Sequence, residues 1–217
     1  MPHSAIPDVP ARHLARVTAL LEGEGRKLLG LVGPPGAGKS TLAVRLQRAF
    51  ADVAQVVPMD GFHLANAELH RLGRSQRKGA PDTFDADGFV ALLRRLRSQR
   101  DDEIVYAPAF HRGIEEAVAG AIPILPQTRL VITEGNYLLL DDGPWAGVAA
   151  LLDEVWYVEV NDQLRNRRLA QRHEAFGRSR EEALAWVAQT DAPNARLIEA
   201  SRPRATHLFR WDDGVAA

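Results

Sequence analysis

Apolar positions along the chain follow two periods. Continuous short runs have the length of buried strands. They are Leu28-Leu29-Gly30-Leu31-Val32, the stretch 53–59, the stretch 129–135, the stretch 154–160, and a last one at 206–211. A short strand-like piece at 103–106 leads into Ala107-Pro108-Ala109-Phe110-His111-Arg112, and Pro123 and Pro126 mark turns after it. Between the runs, apolar residues recur at helical spacing. Leu14, Val17, Leu20 and Leu21 predict a helix from about 10 to 22, stopped by Gly23. Leu42, Leu46, Ala49 and Phe50 predict a helix after residue 40, and Phe89, Leu92, Leu93 and Leu96 another, capped by Asp85 or Asp87. Asp162 starts an arginine-rich helix that Gly177 breaks, Ser179 and Glu182 form a capping box, and a further start lies near Asp191–Pro193. Residues 65–86 are polar and irregular. Strand–helix alternation predicts an α/β fold with a mostly parallel sheet covered on both faces.

Composition narrows the class. The 217 residues suit one domain, carrying a small lid at about 163–182. The formal net charge of −1 argues against a general polyanion binder, so no nucleic-acid partner is expected. No cysteine is present, which excludes disulfides, Cys-ligated zinc and thiol catalysis. No apolar run reaches transmembrane length, and the first twenty residues lack a signal-peptide core; no membrane partner and a cytoplasmic location are expected. A homodimer is compatible with the chain.

The strongest chemical signal is Gly33-Pro34-Pro35-Gly36-Ala37-Gly38-Lys39-Ser40, followed by Thr41. It reads G-x-x-x-x-G-K-S between a predicted strand and a predicted helix, the context in which this pattern cradles phosphates. Backbone N–H groups and the helix start wrap a triphosphate, Lys39 reaches the β- and γ-phosphates, and Ser40 can ligate Mg²⁺. A glycine turn that binds nothing is the bland alternative. Of 27 basic residues only Lys27, Lys39 and Lys78 are lysines. In so arginine-biased a chain, each marks a place where a compact point charge is favoured.

Three further elements bear on the reaction. Glu134 ends an apolar strand, as the Mg²⁺ partner of a P-loop does, or else caps a turn. Asp60 follows the second strand and can accept the proton of an attacking hydroxyl, or make an Asx-turn with Gly61. Arg168 and Arg172 share a helix face, with Arg178 beyond, and either close over the phosphates or form a solvated surface. The histidines show no metal-ligand spacing.

These residues resemble the phosphoribulokinase, uridine kinase and pantothenate kinase superfamily, from Leu28 to about Phe209. That resemblance implies a P-loop NTPase fold, three layers α/β/α. Met59-Asp60-Gly61-Phe62-His63 resembles the strand-end aspartate taken as catalytic base. Pro81-Asp82-Thr83-Phe84-Asp85 resembles a uridine-kinase segment whose first aspartate binds sugar hydroxyls. Tyr106 and His111 match the spacing of a substrate-pocket pair. Thr133-Glu134-Gly135 resembles the end of the Walker B strand, and Arg167-Arg168 with Gly177-Arg178 the lid. Residues 191–204, with Asn194, Arg202 and Arg204, resemble a segment near the adenine. The stretch from Gly135 to Leu140, with Trp145, is similar to a bacterial branch called nucleoside/nucleotide kinase or fructose transport system kinase. Two features depart from the uridine-kinase pattern: Arg112 directly follows His111, and Arg77-Lys78-Gly79 resembles the pantothenate-kinase loop instead.

The expectation is an ATP- and Mg²⁺-dependent kinase acting on a hydroxyl of a small metabolite. Asp60, Lys39, Arg168, Arg172 and Arg178 are its catalytic residues. Residues 33–41, Asn194 and Arg202 hold ATP, and Ser40 and Glu134 hold the metal. Asp60, His63, Lys78, Asp82, Tyr106, His111 and Arg112 line the acceptor side. A P-loop switch without metabolite kinase activity is the alternative. Asp60 speaks against it, since a switch needs no acceptor base.

Overall fold

A computed structural model describes residues 8–175, 177 and 179–211. Helix α1 (Ala11–Glu22) precedes strand β1 (Lys27–Val32), helix α2 (Lys39–Ala49) and strand β2 (Ala54–Pro58). Helices α3 (Asn66–Arg71) and α4 (Ala86–Arg97) follow, then a hairpin of β3 (Val105–His111) and β4 (Glu116–Ile124). The second half holds β5 (Leu130–Gly135), β6 (Glu154–Val158), α5 (Asp162–Ala175), α6 (Arg180–Trp186), α7 (Ala192–Ala200) and β7 (His207–Phe209).

The central sheet runs β2-β5-β1-β6-β7, and every pairing in it is parallel. Both faces are covered, so the strands read as near-continuous apolar runs. Alternation sends successive β1 side chains to opposite layers. Leu28 and Val32 join a core with α4 residues Phe89, Leu93 and Leu96, the Tyr137–Leu140 segment and Ile198 of α7. Leu29 and Leu31 join another with Val17 of α1 and Leu42, Ala43 and Leu46 of α2. The result is the expected three-layer α/β/α fold. Of the two candidate caps for α4, Asp85 does the work: its carboxylate accepts from Gly88 N at 2.8 Å.

Two expectations change. Pro123 is no turn residue: it lies within β4, opposite Tyr106. Proline is tolerated because this ribbon stands outside the central sheet and needs no ladder on its far side. The helix start near Asp191 is a continuation, because α6 passes into α7 through a π-helical turn, Val187–Asp191.

The sheet register assembles the site. Opposite Glu134 of β5 stand Leu31 of β1 on one side and Pro58 of β2 on the other. The C-terminal ends of three neighbouring strands therefore deliver the P-loop, Glu134 and Asp60 to one edge. That edge is where open α/β sheets bind ligands.

Candidate active site

The loop after β1 turns on glycines. Gly36 (φ 81°) and Gly38 (φ 92°) hold left-handed conformations that residues with a Cβ adopt only under strain. Ala37 N donates to Pro34 O at 3.1 Å, closing the loop. Gly38 is the N-cap of α2, and no side chain caps that terminus. The first-turn N–H groups of α2 are thus available for phosphate oxygens.

Lys39 is buried, with 8% of its surface exposed. Its ammonium donates to Gly33 O (2.8 Å), Pro34 O (3.2 Å) and Asn136 Oδ1 (2.8 Å). Burial lowers its pKa, while the charges of Glu134 and Asp60 act the other way. Ser40 Oγ donates to Glu134 Oε1 at 3.0 Å. Burial, and then the charge of Asp60, raise the pKa of Glu134. Two carboxylates, of buried Glu134 and half-buried Asp60, and the exposed Ser40 hydroxyl thus line one edge of the sheet. Such a hard-oxygen donor set would suit Mg²⁺. Among the described residues no group of three or more His, Cys, Asp or Glu is placed to hold a metal ion by itself.

Asp60 sits in a 3₁₀ turn, Met59–Phe62, directly after β2. Its main-chain carbonyl carries the local bonds, accepting from His63 N at 3.2 Å and bonding His63 Nδ1 at 2.8 Å. A carbonyl only accepts, so Nδ1 bears the proton. Burial lowers the His63 pKa, while the charge and the carbonyl of Asp60 act the other way. The Asp60 carboxylate makes no Asx-turn with Gly61; it lines the cavity beside Glu134. Gly135 lines the cavity and also makes room behind it. Its missing Cβ accommodates Met59, whose Cβ and Sδ would each lie 2.6 Å from an added atom, and so it seats the turn that carries Asp60.

A cavity of about 870 Å³ runs from the P-loop to the β3–β4 hairpin. It brings together Pro35, Gly36, Gly38, Lys39, Ser40, Thr41, Asp60, His63, Lys78, Arg112, Glu134, Arg168, Arg172 and Asn194 from the predicted set. Gly33, Pro34 and Ala37 of the same loop are buried and do not line the cavity. Arg172 is held from α5 against the cavity; burial and the facing charge of Arg112 lower its pKa. His173 Nε2 bonds Asp191 Oδ2 at 2.9 Å, clasping α5 to the π turn. A π turn inserts one residue into a helix and re-aims its side chains. Here Thr190 and Asp191 line the cavity.

Four predicted residues lie elsewhere among the described ones. Asp82 is turned to Arg74, at 3.3 Å, and to Arg77. Tyr106 is 52% exposed and His111 is exposed, both outside the cavity lining. Arg202 pairs with Glu159 and lies over the Tyr157 ring, 5.9 Å from its centroid. Arg178 lies outside the described residues. Conversely, sequence reasoning gave no role to Asn136, Phe84, Phe110, His173 or Trp211, all of which line the cavity. An indole on Trp211 beside Gly38 has no local motif; only the neighbouring strands β6 and β7 bring it there.

Comparison with known proteins bears on the family and the fold. The Phosphoribulokinase / Uridine kinase family profile matches residues 28–203. A Schizosaccharomyces pombe protein named "Putative uridine kinase C227.14" is 37% identical over 195 residues, covering 85% of this chain and 83% of that one. The crystal structure of a "putative fructose transport system kinase" from Silicibacter sp. TM1040 superposes with TM-score 0.82 at 40% identity, covering 90% of this chain and 98% of that one. A Saccharomyces cerevisiae structure, YFH7, described as a P-loop containing kinase with a circular permutation, shares the fold at TM-score 0.75 and 20% identity, covering 92% of this chain and 97% of that one. With its P-loop and its family match over most of its length, this is a small-molecule kinase with an alcohol group as acceptor. The chain belongs to the phosphoribulokinase/uridine kinase family of P-loop kinases.

Proposed function

We propose that the protein transfers the γ-phosphate of ATP to a hydroxyl of a small metabolite: a nucleoside, a sugar or a pantothenate-like alcohol. The observation that carries this is the meeting of Lys39, Glu134 and Asp60 in one cavity at three adjacent strand ends. The P-loop amides and Lys39 hold the β- and γ-phosphates in line. Ser40 and Glu134 would hold Mg²⁺, which neutralises phosphate charge. The acceptor oxygen attacks the γ-phosphorus, its proton passes to Asp60, and the bond from that phosphorus to the β–γ bridging oxygen breaks, releasing ADP. General-base assistance of this kind contributes about 10²–10⁴-fold in rate. Arg168 and Arg172 approach from a lid built on α5 and stabilise the charge on the moving phosphoryl, with Arg178 assigned to the same lid from sequence. Asn194 lies on the ATP side. His63, Lys78 and Arg112 face the acceptor.

The relatives' names support the three acceptor classes, since they include a uridine kinase, a fructose transport system kinase and, at 28% identity over 143 residues, an Enterococcus faecalis pantothenate kinase. A nucleotide switch is disfavoured because the Asp60 carboxylate is not consumed by its own turn. The test is ADP release from Mg-ATP over nucleosides, sugars and pantothenate. Stimulation by an acceptor, abolished in Lys39→Ala, is expected. Tight ATP binding with no stimulation across the panel would favour the switch.

A further inference from the structure

We propose that the loop between α3 and α4 builds an oxyanion site at Lys78, so that the acceptor alcohol carries a carboxylate or phosphate in addition to its reacting hydroxyl. The word acceptor rests on the kinase reading above; the anion site itself does not.

Three cations crowd this loop, and they are disposed differently. Arg74 and Arg77 both turn to the Asp82 carboxylate. Lys78 turns to the cavity. Its ammonium donates to Asn66 Oδ1 at 2.6 Å and to the Glu115 main-chain carbonyl at 2.5 Å, both neutral acceptors. It lies 5.2 Å from the Phe110 ring centroid. Among the described residues no carboxylate forms an ion pair with it. Glu116 instead accepts from Asn66 N at 3.0 Å, and Glu115 offers Lys78 its carbonyl. A half-buried ammonium with two neutral hydrogen-bond acceptors keeps a third N–H for a ligand oxygen. Burial lowers its pKa, and the nearby charges of Glu116 and Glu115 act the other way.

The site is held in place. Gly79 N donates to Thr83 Oγ1 at 2.9 Å, the Tyr137 hydroxyl donates to Gly79 O, and Trp145 Nε1 donates to Pro81 O at 3.1 Å. These bonds pin the backbone on the C-terminal side of Lys78. Arg112, from the hairpin, adds a second cation to the same cavity. Between Lys78 and Asp60 stands an aromatic wall: His63 lies 4.0 Å from Phe84 and 4.7 Å from Phe110, centroid to centroid. An acceptor lying on that wall presents its hydroxyl to Asp60 and its anion to Lys78. The rarity of lysine in this arginine-rich chain fits the same assignment, since the other cavity lysine is the P-loop's own.

The test uses the full chain loaded with Mg²⁺ and a non-hydrolysable ATP analogue for calorimetry, and Mg-ATP for turnover. Matched acceptors differ only in the anionic group: pantothenate and pantothenol, glycerate and glycerol, fructose 6-phosphate and fructose, uridine 5′-monophosphate and uridine. The anionic member of at least one pair is expected to bind about 10–100-fold more tightly, as a charge-assisted contact does. Which pair responds separates carboxylate from phosphate. Lys78→Gln should erase that preference, and Lys78→Arg should retain part of it. Neutral members binding as tightly, no anionic member binding, or an undiminished preference in Lys78→Gln would overturn the proposal. Selective anion binding without turnover would sink the kinase reading and leave the anion site standing.

Discussion

The Ser40 hydroxyl and Glu134 Oε1 meet at 3.0 Å across 94 residues of chain. That contact joins the first turn of α2 to the end of β5. It follows from the β1–β5 register, and it orients both proposed metal ligands before any ligand arrives. The Glu134 carboxylate is raised in pKa by burial and by Asp60, so its ionised form costs folding stability. Glu134→Gln keeps the volume and removes that cost. It should raise the melting temperature at pH 7.5 while lowering turnover by about 10²-fold or more, on the scale of a lost electrostatic group in the site. Scanning calorimetry and a coupled ADP assay read the two effects separately. A variant that is less stable yet fully active contradicts both assignments.

The His173–Asp191 bond, at 2.9 Å, ties α5 to the π turn. Arg172 precedes His173 directly, so the clasp fixes the lid guanidinium against the cavity. His173→Ala should lower kcat by about 10-fold through misplacement of a charge-stabilising group. Amide exchange over residues 187–191 should also accelerate. Unchanged exchange in the variant would remove the clasp from the account.

A different pair bears on acid stability. His13 Nδ1 and His207 Nε2 lie 3.0 Å apart and share one proton, packed against Trp156. Burial, then Arg16, lowers the His207 pKa from 6.5; Arg12 lowers it further and Glu154 opposes. Below 6.5 the unfolded chain takes up this proton more readily than the folded one. The contribution is therefore intact above that value and is lost as pH falls through it. Melting temperature should fall between pH 7.5 and 5.5, and His207→Gln should flatten part of that fall. Equal pH dependence in the two proteins would assign the acid sensitivity to other groups.

The donor half of the site was legible because its signals are local. A P-loop fixes its own backbone through glycines at 36 and 38, and an acid at the end of an apolar strand needs only sheet register to reach it. The acceptor half depends on a ribbon the sequence disguised. Pro123 reads as a turn but sits in β4, and the pairing steps from Ala107 with Ile122 to Ala109 with Val118. Two extra β4 residues fall in that step and bend the ribbon. Tyr106, before the bend, faces solvent, whereas Phe110 and Arg112, after it, line the cavity. Spacing alone pointed to Tyr106 and His111. The π turn was hidden for a similar reason: Asp191-Ala192-Pro193 reads as a fresh helix start, and an i→i+5 turn has no residue signature of its own.

The central claim is that Asp60 takes the proton of an attacking alcohol, and one measurement addresses it most directly: single-turnover phosphoryl transfer from Mg-ATP to an acceptor identified in the panel, comparing wild type with Asp60→Asn. The account predicts a transfer rate lower by about 10²–10⁴-fold with ATP affinity retained, because the amide keeps the shape and cannot accept the proton. Transfer at the wild-type rate in Asp60→Asn would contradict it.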